Sequence, residues 1–116
     1  MICRIWNGWT TAANADAYER LLLTEIAPGI VAKGIPGFQR MQVLRDIAAD
    51  GEVCFTTLMW FDSIDAIREF AGEDHAVAVV PPKARALLLR FDARSRHARV
   101  LAELTDGTPE RRDPEG

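Results

Sequence analysis

The chain predicts an α+β fold of ferredoxin-like type: an antiparallel sheet in βαββαβ order with helices on one face. Three observations predict it. Apolar runs rich in Ile, Val, Trp and Phe recur at 1–9, 38–47 and 52–61, bounded by Gly, Pro, Asn and Asp. Between and after them, apolar residues recur at helical spacing, as in Tyr18, Leu21, Leu22 and Ile26, and again in Ile64, Ile67, Phe70 and Ala71. Turn signals separate these segments, and a last strand-like run follows a further helical stretch.

Met1–Trp9 reads as the first strand. Asn14 can cap the first helix, and Pro28-Gly29 predicts a kink or break before a short continuation to Lys33. Gly34-Ile35-Pro36-Gly37 is a turn, and Phe38–Ile47 is the second strand. Ala48–Gly51 is the hairpin connection, with Asp50-Gly51 supplying its turn chemistry. Glu52–Phe61 is the third strand and runs straight into a capped helix. Ser63 is its N-cap and Asp65 puts negative charge in its first turn, while Gly72 can end it. After Glu73–Val79, Pro81-Pro82 can open another helix whose apolar stripe is Ala84, Leu87, Leu88 and Phe91. Ser95–Glu103 is the final strand. Thr105–Gly116 lacks any large apolar residue and reads as a disordered tail, which leaves one domain over 1–104 and the tail over 105–116.

Composition bounds the function classes. A chain of 116 residues is one domain, since two cores would each be too small. It is 48% hydrophobic and 27% charged, as soluble globular proteins are. A net charge of −3 argues against a nucleic-acid partner, which would need a basic face. No apolar run approaches the ~20 residues that span a bilayer, and no secretory leader is visible. The two cysteines, Cys3 and Cys54, read as reduced thiols in strands of a cytoplasmic protein. No histidine or cysteine spacing suits a metal, and no glycine-rich phosphate loop follows a strand.

Strands one and three carry apolar residues on both faces. Ile2, Cys3, Ile5 and Trp6 do so in the first, and Val53, Cys54, Phe55, Leu58, Met59, Trp60 and Phe61 in the third. Helices cover one face of an antiparallel sheet, so a homodimer joined through the other is expected.

The segment Thr57–Phe70, the opening Arg4-Ile5-Trp6-Asn7-Gly8-Trp9 and the stretch Val79–Leu88 together resemble the antibiotic biosynthesis monooxygenase family, over roughly residues 1–102. The resemblance implies a dimeric α+β barrel with a pocket between sheet and helices in each subunit. It also implies oxidation of electron-rich aromatic or polyketide-type substrates by molecular oxygen without a cofactor. Haem-degrading relatives carry a strand-one asparagine, a tryptophan on the second helix and an axial histidine ten residues on. Asn7 matches the first, but Phe70 and Val80 occupy the other two places and His75 falls between them, so haem degradation is not expected. Phe61 also departs from the tryptophan that many members carry before the helix cap.

Side-chain parity then nominates the site. Cys3, Ile5, Asn7 and Trp9 share one face of strand one, against Ile2, Arg4 and Trp6. Cys54, Thr56, Leu58 and Trp60 share one face of strand three, against Phe55, Thr57, Met59 and Phe61. Following the family's asparagine, the Asn7 and Trp60 sets are assigned to the pocket, and Arg4, Trp6, Phe55 and Met59 to the dimer interface. Asn7 would donate to a developing oxyanion, or is a buried amide satisfied by its surroundings. Trp60, with Ile5, Trp9 and Leu58, would hold an aromatic substrate, or is core. His75 is the candidate base, as histidine titrates near neutrality, or is a surface residue like His97. Two other functions fit the same pattern: a non-catalytic barrel binding a small hydrophobic ligand, and an isomerase or lyase.

Removing Thr105–Gly116 should lower the melting temperature by less than about 5 °C, on the order of 1 kcal/mol for a domain this size. A larger fall in scanning calorimetry would mean that the tail docks.

Overall fold

A computed structural model of the chain describes residues 1–47 and 51–106. Strands β1 (Ile2–Thr11), β2 (Phe38–Arg45) and β3 (Glu52–Phe61) form the sheet's body, all antiparallel. β4 (Leu88–Phe91) and β5 (Arg96–Arg99) both pair with the free edge of β1, one beyond the other. The path β2-β3-β1-β4 is the ferredoxin-like order, with the last strand broken in two. The break is at Asp92–Ser95, where Arg94 instead bridges to Val77.

The first helical arm crosses one face of the sheet as α1 (Ala15–Leu21), a π-helical turn (Leu22–Ile26) and α2 (Ala27–Ala32). Of the kink or break expected at Pro28, the structure shows a π-helical irregularity just before it and a helix that continues to Ala32, with Lys33 as its C-cap. Proline lacks an N–H, and its ring crowds the carbonyl four residues back. The chain absorbs this by widening one turn, so that the Ala27 N–H reaches the Leu22 carbonyl. Asn14 stands at the N-cap position without a side-chain bond, and its own N–H is taken by Thr11 Oγ1 at 3.1 Å. α3 (Ile64–Ala71) begins as expected, with Ser63 Oγ accepting from the Ala66 N–H at 3.2 Å. It ends at Gly72, whose φ of +101° suits only glycine.

Two expectations fail late in the chain. α4 (Pro82–Leu87) opens on its prolines but stops at Leu87, so Leu88 and Phe91 belong to β4 and not to a helical stripe. Thr10 Oγ1 donates to the Leu87 carbonyl at 2.6 Å, and pairing of Leu88–Phe91 with β1 outweighs their helical spacing. The last strand ends at Arg99, because its partner β1 runs out: the Val100 N–H already meets the Met1 carbonyl. Residues 48–50 of the hairpin and 107–116 of the tail lie outside the described residues. No described helix is long and apolar enough to cross a membrane.

Buried side chains form two clusters on the helix-covered face. Tyr18, Leu21, Leu22, Val53, Phe55, Val80 and Ala84 pack beneath α1 and α4, and Met59, Phe61, Ala66, Ile67 and Phe70 beneath α3. Gly37, at φ +90°, sits where α3 meets the sheet, and a Cβ there would lie 2.8 Å from the Ala66 Cβ. Gly37→Ala combines backbone strain with that clash, so it should destabilise the fold by about 2 kcal/mol or more in urea titration.

Candidate active-site cleft

The helix-covered face is the opposite of the one that sequence parity assigned. β1 and β3 pair in one continuous register from Ile2↔Phe61 to Thr11↔Glu52. Along β3, Val53, Phe55, Thr57, Met59 and Phe61 are all buried, while Cys54, Thr56, Leu58 and Trp60 are only half-buried. The physical reason is where the large apolar rings find partners. Phe55 meets the edge of Tyr18 on α1 at 5.0 Å, and Phe61 meets Phe70 on α3 at 6.1 Å. Arg4, Trp6, Phe55 and Met59 therefore face the helices and not a second subunit.

Asn7, Ile5, Trp9, Leu58 and Trp60 lie on the outer sheet face and line no part of the cleft described below. The Asn7 amide is fully engaged there. Its Nδ2 donates to Asp92 Oδ2 at 3.0 Å, and its Oδ1 accepts from Thr56 Oγ1 at 2.6 Å. Trp60 stacks under Arg40 at 4.4 Å and Trp9 under Arg90 at 4.7 Å. His75 sits in the loop after α3, its ring edge-on to His97 at 5.0 Å, and it too is absent from the cleft wall.

Between the two buried clusters the sheet and helices leave a small cleft open on one side, an enclosed volume of about 50 Å³ that reaches about 470 Å³ with the adjoining open solvent included. Trp6, Thr57 and Met59 form its floor, Tyr18, Leu22, Ile26 and Ile30 one wall, and Phe70, Val80 and Ala84 another. Trp6 is held flat by its Nε1 bond to the Asp92 carbonyl at 2.8 Å, and a Cβ on Gly8 would lie 2.8 Å from its ring. The mouth widens into a groove of about 1,070 Å³, open solvent included, reached past Ile26, Ile30, Val79 and Pro81 and flanked by Lys33 and Lys83. The π-helical turn carries Leu22 and Ile26 to the cleft wall, so the widened turn shapes the cavity.

The cleft's polar end is formed by Arg4 and Ser95. Arg4, 3% exposed, donates through Nη1 to the His75 carbonyl and through Nη2 to the Val77 carbonyl at 3.0 Å. Its Nη1 also meets His97 Nε2 at 3.0 Å; arginine can only donate, so this nitrogen accepts and the imidazole is neutral. Burial pushes Arg4 down to about 10, which leaves it charged at neutral pH. Burial, then the Arg4 charge and His75, push His97 down to about 4. Burial pushes the Tyr18 phenol up to about 12, so it is a neutral donor. Cys3 and Cys54 are free thiols, both raised chiefly by burial.

Sequence parity did not bring together Arg4, Trp6, Tyr18, Thr57, Phe70 and Ser95, which line the cleft. One signal for them stood in the sequence: Arg4 is a charge in the middle of an apolar strand, where it needs a reason to be buried.

Fold and cleft define a class: ferredoxin-like α+β domains with a ligand cavity between sheet and helices. No family model and no curated protein matches the chain. Solved structures do. A Bacillus cereus protein assigned as an antibiotic biosynthesis monooxygenase superposes with a TM-score of 0.62 at 13% identity, over 90% of this chain and 96% of that one. A MhuD mutant with two manganese protoporphyrin IX molecules per active site superposes at 0.65 and 16%, over 90% and 99%. SnoaB, a cofactor-independent oxygenase from Streptomyces nogalater, does so at 0.51 and 22%, over 92% and 98%. At such identities the likeness is one of fold: the chain has the fold of the antibiotic biosynthesis monooxygenases.

The cleft offers a haem no axial imidazole, and Tyr18, Met41 and Met59 are the iron-capable side chains among the described residues of its lining. Among the described residues no imidazole, thiol or carboxylate lines it, Val80 is apolar, and His97 is committed to Arg4.

His97 makes stability depend on pH. Its folded value of about 4 lies below the ordinary 6.5, so the unfolded chain binds more protons between the two. Stability is therefore whole above pH 6.5 and lost as pH falls toward 4. Glu52 and Asp74, lowered by their Arg90 and Arg94 hydrogen bonds, act only below their own ordinary values of 4.5 and 3.8. In calorimetry between pH 7 and 5, His97→Gln should lose less melting temperature than wild type. Equal losses would contradict this account.

Proposed function

We propose that the chain is a cofactor-independent monooxygenase-like enzyme, oxidising a small aromatic or polyketide-type substrate with molecular oxygen in the cleft beneath the helices. The carrying observation is the cleft itself, walled by Trp6, Tyr18 and Phe70 on a fold that SnoaB shares. Trp6 and Phe70 give the cleft an aromatic lining for a flat substrate, and buried Tyr18, Val80 and Ala84 keep water from it.

The chemistry balances without a reductant. An activated ring methylene loses a proton to give a carbanion whose charge spreads onto the neighbouring oxygen. The carbanion passes electrons to oxygen, a C–O bond forms, and the resulting peroxide loses water, so that CH₂ and O₂ become C=O and H₂O. The Tyr18 hydroxyl, held protonated, supplies a donor for the developing oxyanion. With no carboxylate or uncommitted imidazole on the wall among the described residues, the acidic methylene gives its proton to solvent water at the cleft's open side.

That same lack of a base favours a second reading, a non-catalytic barrel that binds a small hydrophobic ligand. Oxygen consumption with anthrone- and hydroquinone-like substrates in metal-free buffer separates the two. Wild type should consume oxygen, Tyr18→Phe should lower kcat roughly 10–100-fold, and Trp6→Ala should mainly raise KM. Asn7→Ala and His75→Ala, outside the cleft, should stay near wild type; a loss confined to Asn7→Ala would move the chemistry to the outer face. Tight binding without turnover would establish the second reading.

We also propose that the outer sheet face, with Ile5, Trp9, Leu58 and Trp60 half-buried and Leu44 exposed, pairs with a second copy. Such a contact would bury ~2,000 Å² or more. Sedimentation should show a dimer at micromolar concentration, and Trp60→Glu should dissociate it. A monomeric wild type refutes it. The two free thiols support a cytoplasmic location.

A further inference from the structure

The cleft holds a positive charge with no counter-ion. The three acceptors around Arg4 are two carbonyls and a neutral imidazole, and its guanidinium lies 5.5 Å from the Phe70 ring centre. No described carboxylate lies within ion-pair distance of it. Among the described residues the ion-paired arginines are Arg40, Arg45, Arg68, Arg90 and Arg94, whose pairs lie at the surface. Burying a cation costs several kcal/mol unless an anion or a full set of acceptors compensates. The hydrogen bonds around Arg4 use three of the five N–H donors of a guanidinium, all of them to uncharged acceptors. A guanidinium offers such donors to planar oxygen anions.

A second observation falls in the same place. Ser95 is 7% exposed, its Oγ is buried without any hydrogen-bond partner, and it lines the same cleft. Arg4 pairs with His97 across the β1–β5 edge, and Ser95 lies two residues before His97 on that edge. Ser95 is in the break just before β5, and the orphan hydroxyl's residue lines the cleft together with Arg4.

We propose that this end of the cleft is an anion subsite. The ligand presents a planar oxygen anion, a carboxylate or the ionised enol of an acidic ring, to the Arg4 guanidinium, and Ser95 Oγ donates to it. Its aromatic body lies along Trp6, Tyr18 and Phe70. The proposal rests on the cleft being the ligand site, as the function above does, but needs no turnover. It narrows the substrate class to aromatics already carrying an acidic oxygen, whose ionised form the Arg4 charge favours.

Calorimetric titration of the full chain at neutral pH tests it with two matched pairs. The first is 2-naphthoate against 2-naphthamide. The second is 2-hydroxy-1,4-naphthoquinone, an enol ionised at that pH, against its methyl ether. The subsite predicts that at least one anion binds roughly tenfold or more tighter than its neutral partner, the scale of a charge-assisted hydrogen bond. Arg4→Gln should erase that preference while leaving the neutral ligands' affinity in place. Ser95→Ala should reduce it several-fold, and Arg4→Lys should keep part of it. A preference confined to the naphthoate pair identifies a carboxylate, and one confined to the quinone pair an enolate.

Equal affinity within both pairs in wild type overturns the proposal, and that comparison needs no variant to fold. So does the absence of binding by either anion at millimolar concentration, or a preference that survives Arg4→Gln. Anion preference without oxygen consumption leaves the subsite standing and removes the oxidation. Oxygen consumption from substrates bound without anion preference does the reverse.

Discussion

Everything else in this protein depends on the ladder between β1 and β3. The two strands pair without a slip from Ile2↔Phe61 to Thr11↔Glu52. In an antiparallel ladder opposite residues share a face, and a one-residue shift would exchange every side chain between faces. This register therefore decides as a unit that Arg4, Trp6, Phe55, Thr57 and Met59 point beneath the helices. It also decides that Asn7, Trp9, Thr56 and Trp60 point away from them.

The cleft follows from how that inner face is covered. The α1–α2 arm and α4 cover Val53 and Phe55, and α3 covers Met59 and Phe61. Thr57 is buried on the cleft floor, where its short side chain leaves space that a larger residue would fill. Pro28 adds to this by forcing a π-helical turn, which rotates Leu22 and Ile26 onto the cavity wall. The cavity is thus the seam between two packing units, which is where a ligand can enter without displacing core.

A polar seam along β1's free edge locks the arrangement. Asp92 accepts from the Asn7 N–H and amide and from Trp6 Nε1, and its own N–H meets the Asn7 carbonyl. These bonds interrupt the edge strand between β4 and β5, and the gap lets the loop at Ala76–Ala78 pair with Ala93–Ser95. That loop supplies the carbonyls that hold Arg4. Asn7, nominated for catalysis, instead organises the edge that positions the buried arginine.

By itself the sequence determined the element order, the Ser63 cap, the proline start of α4 and the glycine end of α3, because each depends on neighbours within a turn or two. It also contained a hint of the correct face, since Phe55, Met59 and Phe61 are bulkier than Cys54 and Thr56 opposite. The family asparagine matched by Asn7 points to the other face, and the residues it nominates lie on the side of the sheet away from the helices. Only the tertiary structure decided which face the helices cover, that Leu88–Phe91 leaves the helix for the sheet, and that Arg4 meets His97 and the loop at His75–Val77. The Arg4 contacts join residues 71 to 93 positions apart. Contacts at such separation depend on the packing of whole elements, which local spacing does not encode.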